Sequence, residues 1–145
     1  MPPTVRQETL NLLGPFLTEQ SNTSEQRNAY ATRALTDILW RDGLPEFSLL
    51  WLSDPDLTQH DYSPGAPPSL AAIKNSDRNL TAVLETLKKK NARNQTDIFV
   101  VSDHGFSTIE RGIDFPAALC AAGFDAVAAF QQAPQAGQVM LNALQ

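Results

Sequence analysis

The ten-residue segment at 96–105, TDIFVVSDHG, constrains the fold of this chain more than any other segment. Its run of β-branched and aromatic residues is typical of a buried parallel strand. In open α/β sheets, ligands bind just beyond the carboxyl ends of such strands. Asp103 and His104 stand at that position, and a carboxylate beside an imidazole suits a zinc-like divalent ion. The segment alone also allows a strand that ends in an ordinary polar turn.

A second apolar run upstream ends in the same kind of chemistry. Residues 47–53, FSLLWLS, predict another strand, and Asp54, Asp56 and His60 follow it. The chain has only two histidines, and each lies within a few residues of an aspartate just past a predicted strand end. Scattered structural histidines are not expected to share that position, so it favours a metal site. Either aspartate remains a candidate ligand: Asp56 suits one ion with His60 if the segment turns, and Asp54 would then cap that turn.

The rest of the chain alternates helices and strands. One helix is predicted to start at Ser24 as N-cap and to be ended by the Asp42-Gly43-Leu44-Pro45 segment, and another over 69–90, where apolar residues recur at helical spacing. The second helix lies between the two motif strands, as the crossover of a βαβ unit requires. A short helix over 114–122 and strands near residues 124 and 139 complete the pattern. We therefore predict an α/β fold with a mostly parallel sheet flanked by helices.

Composition and charge exclude several other classes of protein. The chain has 145 residues, of which 42% are hydrophobic and 19% charged, which is enough apolar content for one core. Its net charge is -5, so the chain lacks the excess of basic residues that attracts nucleic acid, and binding to nucleic acid is not expected. No stretch approaches the roughly 20 apolar residues of a membrane-spanning helix. The first residues lack the apolar segment of a secretory signal.

Several residues that invite a functional role are better explained as structural. Residues 88–90, three lysines, end a predicted helix, where cations complement the helix dipole. Asp77 lies inside the crossover helix and is expected to pack or to bond to a loop. Trp40 and Trp51 are expected in core or half-buried positions. Cys120 is the only cysteine, so no intramolecular disulfide is possible, and its alanine-rich context predicts a small buried helix residue.

The order and spacing of these motifs resemble the type I phosphodiesterase/nucleotide pyrophosphatase family, within the alkaline phosphatase superfamily. The resemblance covers residues 44–125, about half of the chain. It rests on Pro55-Asp56-x-x-x-His60, a Pro-Gly segment, an Asp-bearing helix, and the Thr-Asp-x-x-x-Val-Ser-Asp-His-Gly-Phe motif that begins at Thr96. One departure is Gln59, where the family usually has glycine.

The resemblance implies a metal site with two divalent ions, zinc in the family. Asp56 and His60 resemble ligands of one ion, which a distant downstream histidine completes in the family. Asp103 and His104 resemble ligands of the other ion, which an upstream aspartate and the Thr or Ser nucleophile complete. The fold implied is a partial alkaline-phosphatase-like core, and we expect residues 1–145 to form a single partial domain, the metal-motif half of a phosphodiesterase-like catalytic domain.

The activity implied by the resemblance is two-metal phosphoryl transfer, with hydrolysis of phosphodiester or pyrophosphate bonds in small phosphoesters. Ser102, Ser107 and Thr108 lack the helix-opening context of a nucleophile, so we expect the nucleophile to be missing from this chain. No substrate-binding residue can be assigned. Relatives of the family are commonly exported, so an exported or periplasmic intact protein fits the resemblance. Unpaired sheet edges would invite association with other strands.

A second class of function stays open from the sequence. The chain could be a non-catalytic remnant of such an enzyme that binds metal or a partner. Sulfatases and cofactor-independent phosphoglycerate mutases use related metal sites, but the first motif fits them less well.

Overall fold

A computed structural model describes residues 3–129, 133 and 135–140 of the chain. The chain forms two compact units, one up to Ser107 and one from Thr108. The helices of the first unit are α1 (Pro3–Leu13), α2 (Ser24–Arg33) with a π-helical continuation (Ala34–Leu39), α3 (Asp56–Asp61), α4 (Pro67–Lys89) and a 3-10 turn (Arg93–Gln95). The second unit holds α5 (Phe115–Ala121), β1 (Ala126–Val127) and β2 (Val139–Met140).

Local sequence signals set the start of α2. Thr23, one residue before the predicted Ser24, is the N-cap: its side chain accepts a hydrogen bond from the Gln26 backbone N–H at 3.2 Å. The Gln26 side chain in turn accepts from the Thr23 backbone N–H at 2.9 Å, which completes a capping box. The helix predicted from about Ser24 is confirmed; it ends at Leu39, before the predicted stop at Asp42, and its last six residues, Ala34–Leu39, are π-helical.

Helix α4 corresponds to the helix that the spacing of apolar residues predicts over 69–90, although the two strands it was expected to connect do not form among the described residues. It begins at Pro67. Proline suits this position because the first N–H groups of a helix have no partner within the helix, so its missing N–H costs no hydrogen bond. Its last turn carries Lys88 and Lys89, both exposed, as expected of a solvated helix end. Apolar side chains on one face are buried, and so are three polar ones, Ser69, Asn75 and Asn79.

The core of the first unit lies where α4 meets the end of the α2 segment. Leu35, Trp40, Val83 and Leu87 are buried together. Trp40 is 5% exposed, as its prediction requires, and its indole N–H donates to the Ser48 hydroxyl at 2.9 Å. The partly buried side chains packed against this cluster are Leu44, Leu50, Ala92 and Ile98. None of the described helices combines the length and hydrophobicity needed to cross a bilayer.

The two strands predicted at the motifs do not form among the described residues, so the structure shows only a two-stranded parallel part of the predicted sheet. Among them, only β1 and β2 pair, in parallel, with Ala126 opposite Val139. A strand exists through hydrogen bonds to its neighbours, and the apolar runs at 47–53 and 96–101 have no such partner in the described part of the chain. Their outward side chains are 69–84% exposed: Phe47, Leu49, Trp51, Phe99, Val100 and Val101.

Two predictions of burial are wrong for related reasons. Trp51 is 70% exposed, because no layer covers its side of the 47–53 run among the described residues. Cys120 is exposed on α5, and its thiol donates to the Ala126 carbonyl at 3.1 Å. Helix α5 itself follows the prediction, with Asp114 accepting from the Ala117 backbone N–H at 2.9 Å as its cap. The loop predicted at 131–137 falls partly outside the described residues.

Candidate metal centre

Helix α3 presents the first motif. Asp56 lies in its first turn and His60 one turn later, so both side chains project from the same face. His60 Nε2 lies 3.6 Å from Asp56 Oδ1. The fold thus places these two predicted ligands side by side, on a helix of six residues.

Asp54, the other candidate ligand of the first motif, instead caps the start of α3. It is buried, at 5% exposed, and its Oδ1 accepts from both the backbone N–H and the hydroxyl of Thr58, at 3.1 and 2.8 Å. The carboxylate therefore satisfies the first turn of α3. Asp56 is left free to face the histidines.

The second motif meets the first at the same carboxylate. His104 Nε2 lies 3.3 Å from Asp56 Oδ1 and 3.9 Å from Asp103 Oδ2. One ligand atom from each of Asp56, His60 and His104 lies within 4.8 Å of the others, which is a spacing that can hold a metal ion. Asp103 stands beside this group of three. All four residues predicted as ligands are therefore gathered in one place.

The orientation of the His104 ring favours ligation through Nε2. Its Nδ1 lies 3.2 Å from the Gly105 carbonyl oxygen, which can only accept a hydrogen bond. A proton held on Nδ1 by that carbonyl leaves the Nε2 lone pair directed at the carboxylates. Backbone carbonyls commonly fix the tautomer of metal-binding histidines in this way.

Asp56 Oδ1 is the atom that best tests whether a cation fits. It is buried and has no hydrogen-bond partner among the described residues, although two imidazole nitrogens face it at 3.3 and 3.6 Å. A buried carboxylate oxygen without a donor carries a desolvation penalty. A divalent cation would serve as common partner to this oxygen and the facing nitrogens, and carboxylate oxygen with imidazole nitrogen is a donor set of zinc sites. The residues present therefore fit such an ion.

Phe106 packs against both imidazoles. Its ring centroid lies 5.0 Å from that of His60 and 5.1 Å from that of His104, in edge-on geometry. The two imidazoles themselves are 5.9 Å apart. The sequence places Phe106 in the second motif but gives it no role, since only the fold shows that it also reaches His60. The ring limits the rotation of both histidines.

Other polar residues near the motifs do not join this group. Ser102 donates its hydroxyl to the His104 carbonyl, which ties it to the backbone of the second motif. Ser107 and Thr108 are exposed. Asp77, expected to pack or to bond to a loop, is instead exposed on α4.

Comparison with known proteins finds a matching family and several proteins of similar sequence. The profile of the family described as type I phosphodiesterase / nucleotide pyrophosphatase matches residues 5–139. Over 84 residues the chain is 29% identical to the venom phosphodiesterase of Naja atra, covering 55% of this chain and 10% of the relative. Over 65 residues it is 34% identical to venom phosphodiesterase 2 of Crotalus adamanteus, covering 45% of this chain and 8% of the relative.

A human protein is also similar to the chain. Over 62 residues the chain is 26% identical to ectonucleotide pyrophosphatase/phosphodiesterase family member 7 of Homo sapiens, covering 43% of this chain and 14% of the relative. The chain thus spans between 8% and 14% of the length of these curated relatives. No solved structure matches the chain significantly.

Proposed function

Because the chain belongs to the type I phosphodiesterase/nucleotide pyrophosphatase family, we propose that it supplies the metal centre of a hydrolase of phosphodiester or pyrophosphate bonds. The single observation that carries this proposal is the buried Asp56 Oδ1, which has no hydrogen-bond donor among the described residues and faces His60 and His104. We propose that this metal centre lies within the alkaline-phosphatase-like α/β fold of the family.

We propose zinc as the cofactor, with two ions. Asp56 and His60 would hold one ion, and Asp103 and His104 the other. The donor set supports this choice, since each pair offers one carboxylate oxygen and one imidazole nitrogen. When bound, such ions lower the pKa of a coordinated hydroxyl or water and offset the charge of phosphate oxygens.

The chain's own residues would hold these ligands in place. Asp54 fixes the first turn of α3, and the Gly105 carbonyl sets the His104 tautomer. Phe106 packs against both imidazoles. We assign no nucleophile and no substrate-binding residue within this chain, so turnover by these 145 residues alone is expected to be weak or nil.

We also propose the substrate, the partners and the location of the intact protein, from the charge, the exposed surface and the named relatives. The substrate is a small phosphoester rather than a nucleic acid polymer, a view supported by the net charge of -5. The exposed apolar runs at 47–51 and 99–101 are where further strands would pair. The relatives are named as venom and ectonucleotide enzymes, which supports export of the intact protein. We propose that both compact units belong to one catalytic domain.

A zinc titration tests the proposal. Calorimetry on the full chain should show binding at micromolar or weaker affinity, because each pair provides two protein ligands where stable zinc sites have three or four. Asp56→Asn should lower the heat of binding, because it removes one of the two ligands of the ion that Asp56 shares with His60. Asp77→Asn, which changes an exposed carboxylate of the same charge on α4, should leave the titration unchanged.

Two results would count against this function. Equal titrations for the wild-type chain and Asp56→Asn would show that zinc binds elsewhere. Absence of any zinc binding, even at millimolar metal, would leave the family membership intact but favour a non-catalytic remnant.

A further inference from the structure

We propose that Asn28, on α2, is a positioning residue for the metal centre, because it holds the turn from which α3 presents Asp56 and His60. This inference rests on the proposed function. It concerns a residue remote from both motifs in the sequence, and it is carried by the hydrogen bonds around the Ser53–Asp54 turn.

Asn28 uses both ends of its amide on this turn. It is 1% exposed. Its Oδ1 accepts from the Ser53 backbone N–H at 2.9 Å and from the Ser53 hydroxyl at 3.2 Å. Its Nδ2 donates to the Asp54 carbonyl at 3.4 Å. One buried side chain thus binds two consecutive residues of the chain that enters α3.

Helix α4 holds the same turn from a second direction. The Ser76 hydroxyl donates to the Asp54 carbonyl at 2.8 Å, so that carbonyl receives bonds from both α2 and α4. The Asp54 side chain then accepts from Thr58 inside α3. A continuous set of bonds therefore runs from Asn28 and Ser76, through the turn, into the helix that carries the metal ligands.

The turn matters because α3 is a helix of only six residues. No residue of this helix is fully buried. Asp56 and His60 both sit on it, so a shift of the turn would move the two ligands together relative to His104 on the other motif. Catalytic and metal ligands tolerate small displacements poorly, and outer partners of metal ligands commonly change affinity by about 10–100-fold when removed.

The same interface contains a matched control. Thr32 donates its hydroxyl to the Asn79 side chain at 2.7 Å, and Asn79 donates to the Asn75 carbonyl at 2.9 Å. Asn79 is buried like Asn28, at 6% exposed, and it joins α4 to α2 through Thr32. Its hydrogen bonds do not reach the Ser53–Asp54 turn. Loss of the Asn79 amide should therefore loosen the helix pair without displacing α3.

The experiment compares Asn28→Ala, Asn79→Ala and Ser76→Ala in the full chain. Zinc affinity is measured by calorimetry, the geometry of the site by the visible absorption of bound Co²⁺, and folding by urea denaturation without metal. We expect Asn28→Ala to weaken zinc binding about tenfold and to alter the Co²⁺ spectrum. Asn79→Ala should lower stability while leaving both metal readouts at wild-type values.

Ser76→Ala keeps the test decisive if Asn28→Ala does not fold, because it removes one hydroxyl from the same Asp54 carbonyl. It should weaken zinc binding several-fold and shift the Co²⁺ spectrum in the same direction. Wild-type zinc affinity in folded Asn28→Ala, or equal losses in Asn28→Ala and Asn79→Ala, would overturn the positioning role. So would wild-type affinity in Ser76→Ala. Failure of the wild-type chain to bind zinc would instead reject the proposed function itself, and this inference with it.

Discussion

Asp54 and Asp56 stand two positions apart and face in different directions. Asp54 is buried and accepts two hydrogen bonds from Thr58, so its charge is satisfied inside the turn. The Oδ1 atom of Asp56 is also buried, but it has no donor within the described part of the chain, and two imidazoles face it. Because a buried carboxylate oxygen is costly without a partner, the second aspartate is the one suited to a cation.

The two histidines should contribute unequally to metal binding. His104 Nε2 is nearer to Asp56 Oδ1, at 3.3 Å against 3.6 Å for His60, and it also adjoins Asp103. Removal of His104 therefore disturbs both proposed ligand pairs. Calorimetric zinc titration should show a larger loss for His104→Ala than for His60→Ala. The reverse order would mean that the first motif alone carries the bound ion.

Helix α2 is the element on which the first unit is organised. Its capping box starts it at Thr23, its buried Asn28 holds the turn before α3, and its Tyr30 hydroxyl donates to the Gly14 carbonyl at the end of α1 at 3.0 Å. Burial raises the pKa of the Tyr30 phenol above its usual value. The link between α1 and α2 is therefore sensitive to alkaline pH.

The sign of that sensitivity follows from proton binding. A raised pKa means that the folded chain keeps the phenol proton where the unfolded chain has released it. The stabilisation is fully present below the unfolded pKa of about 10 and is lost as pH rises through the folded value. Urea denaturation should give Tyr30→Phe a deficit of about 1 kcal/mol at pH 8, from the lost hydrogen bond, that shrinks above about pH 10. A deficit that stays constant up to pH 11 would contradict this.

Taken as a whole, the molecule exposes apolar surface at the two runs that the sequence predicts as strands. Phe99, Val100 and Val101 are 77–84% exposed, and large apolar patches on soluble proteins commonly mark sites of association. Unpaired backbone at the same runs adds hydrogen-bonding capacity.

We therefore expect this chain to self-associate as its concentration rises. Sedimentation velocity should show a concentration-dependent increase in mass that Val100→Lys reduces, because a charge opposes strand pairing and apolar contact. Leu12→Lys adds the same charge to an exposed residue of α1, 58% exposed, and should leave association unchanged. A monomer at all concentrations, or equal effects of both lysines, would show that these runs do not mediate association.

The sequence by itself determined the features that depend on neighbours in the chain. The start of α2 follows from its capping box and the extent of α4 from the spacing of its apolar residues, and Asp56, His60, Asp103 and His104 are visible as two short motifs. The structure brings these four residues together, and their role as ligands stays a prediction.

Only the tertiary structure decided which aspartate is buried in a cap, that Phe106 touches both histidines, and that Asn28 reaches the Ser53–Asp54 turn. It also decided that the runs at 47–53 and 96–101 remain unpaired in the described chain, and that Trp51 is exposed. Strand pairing, burial and long-range hydrogen bonds depend on partners far away in sequence, and local pattern carries no information on whether such a partner is in place.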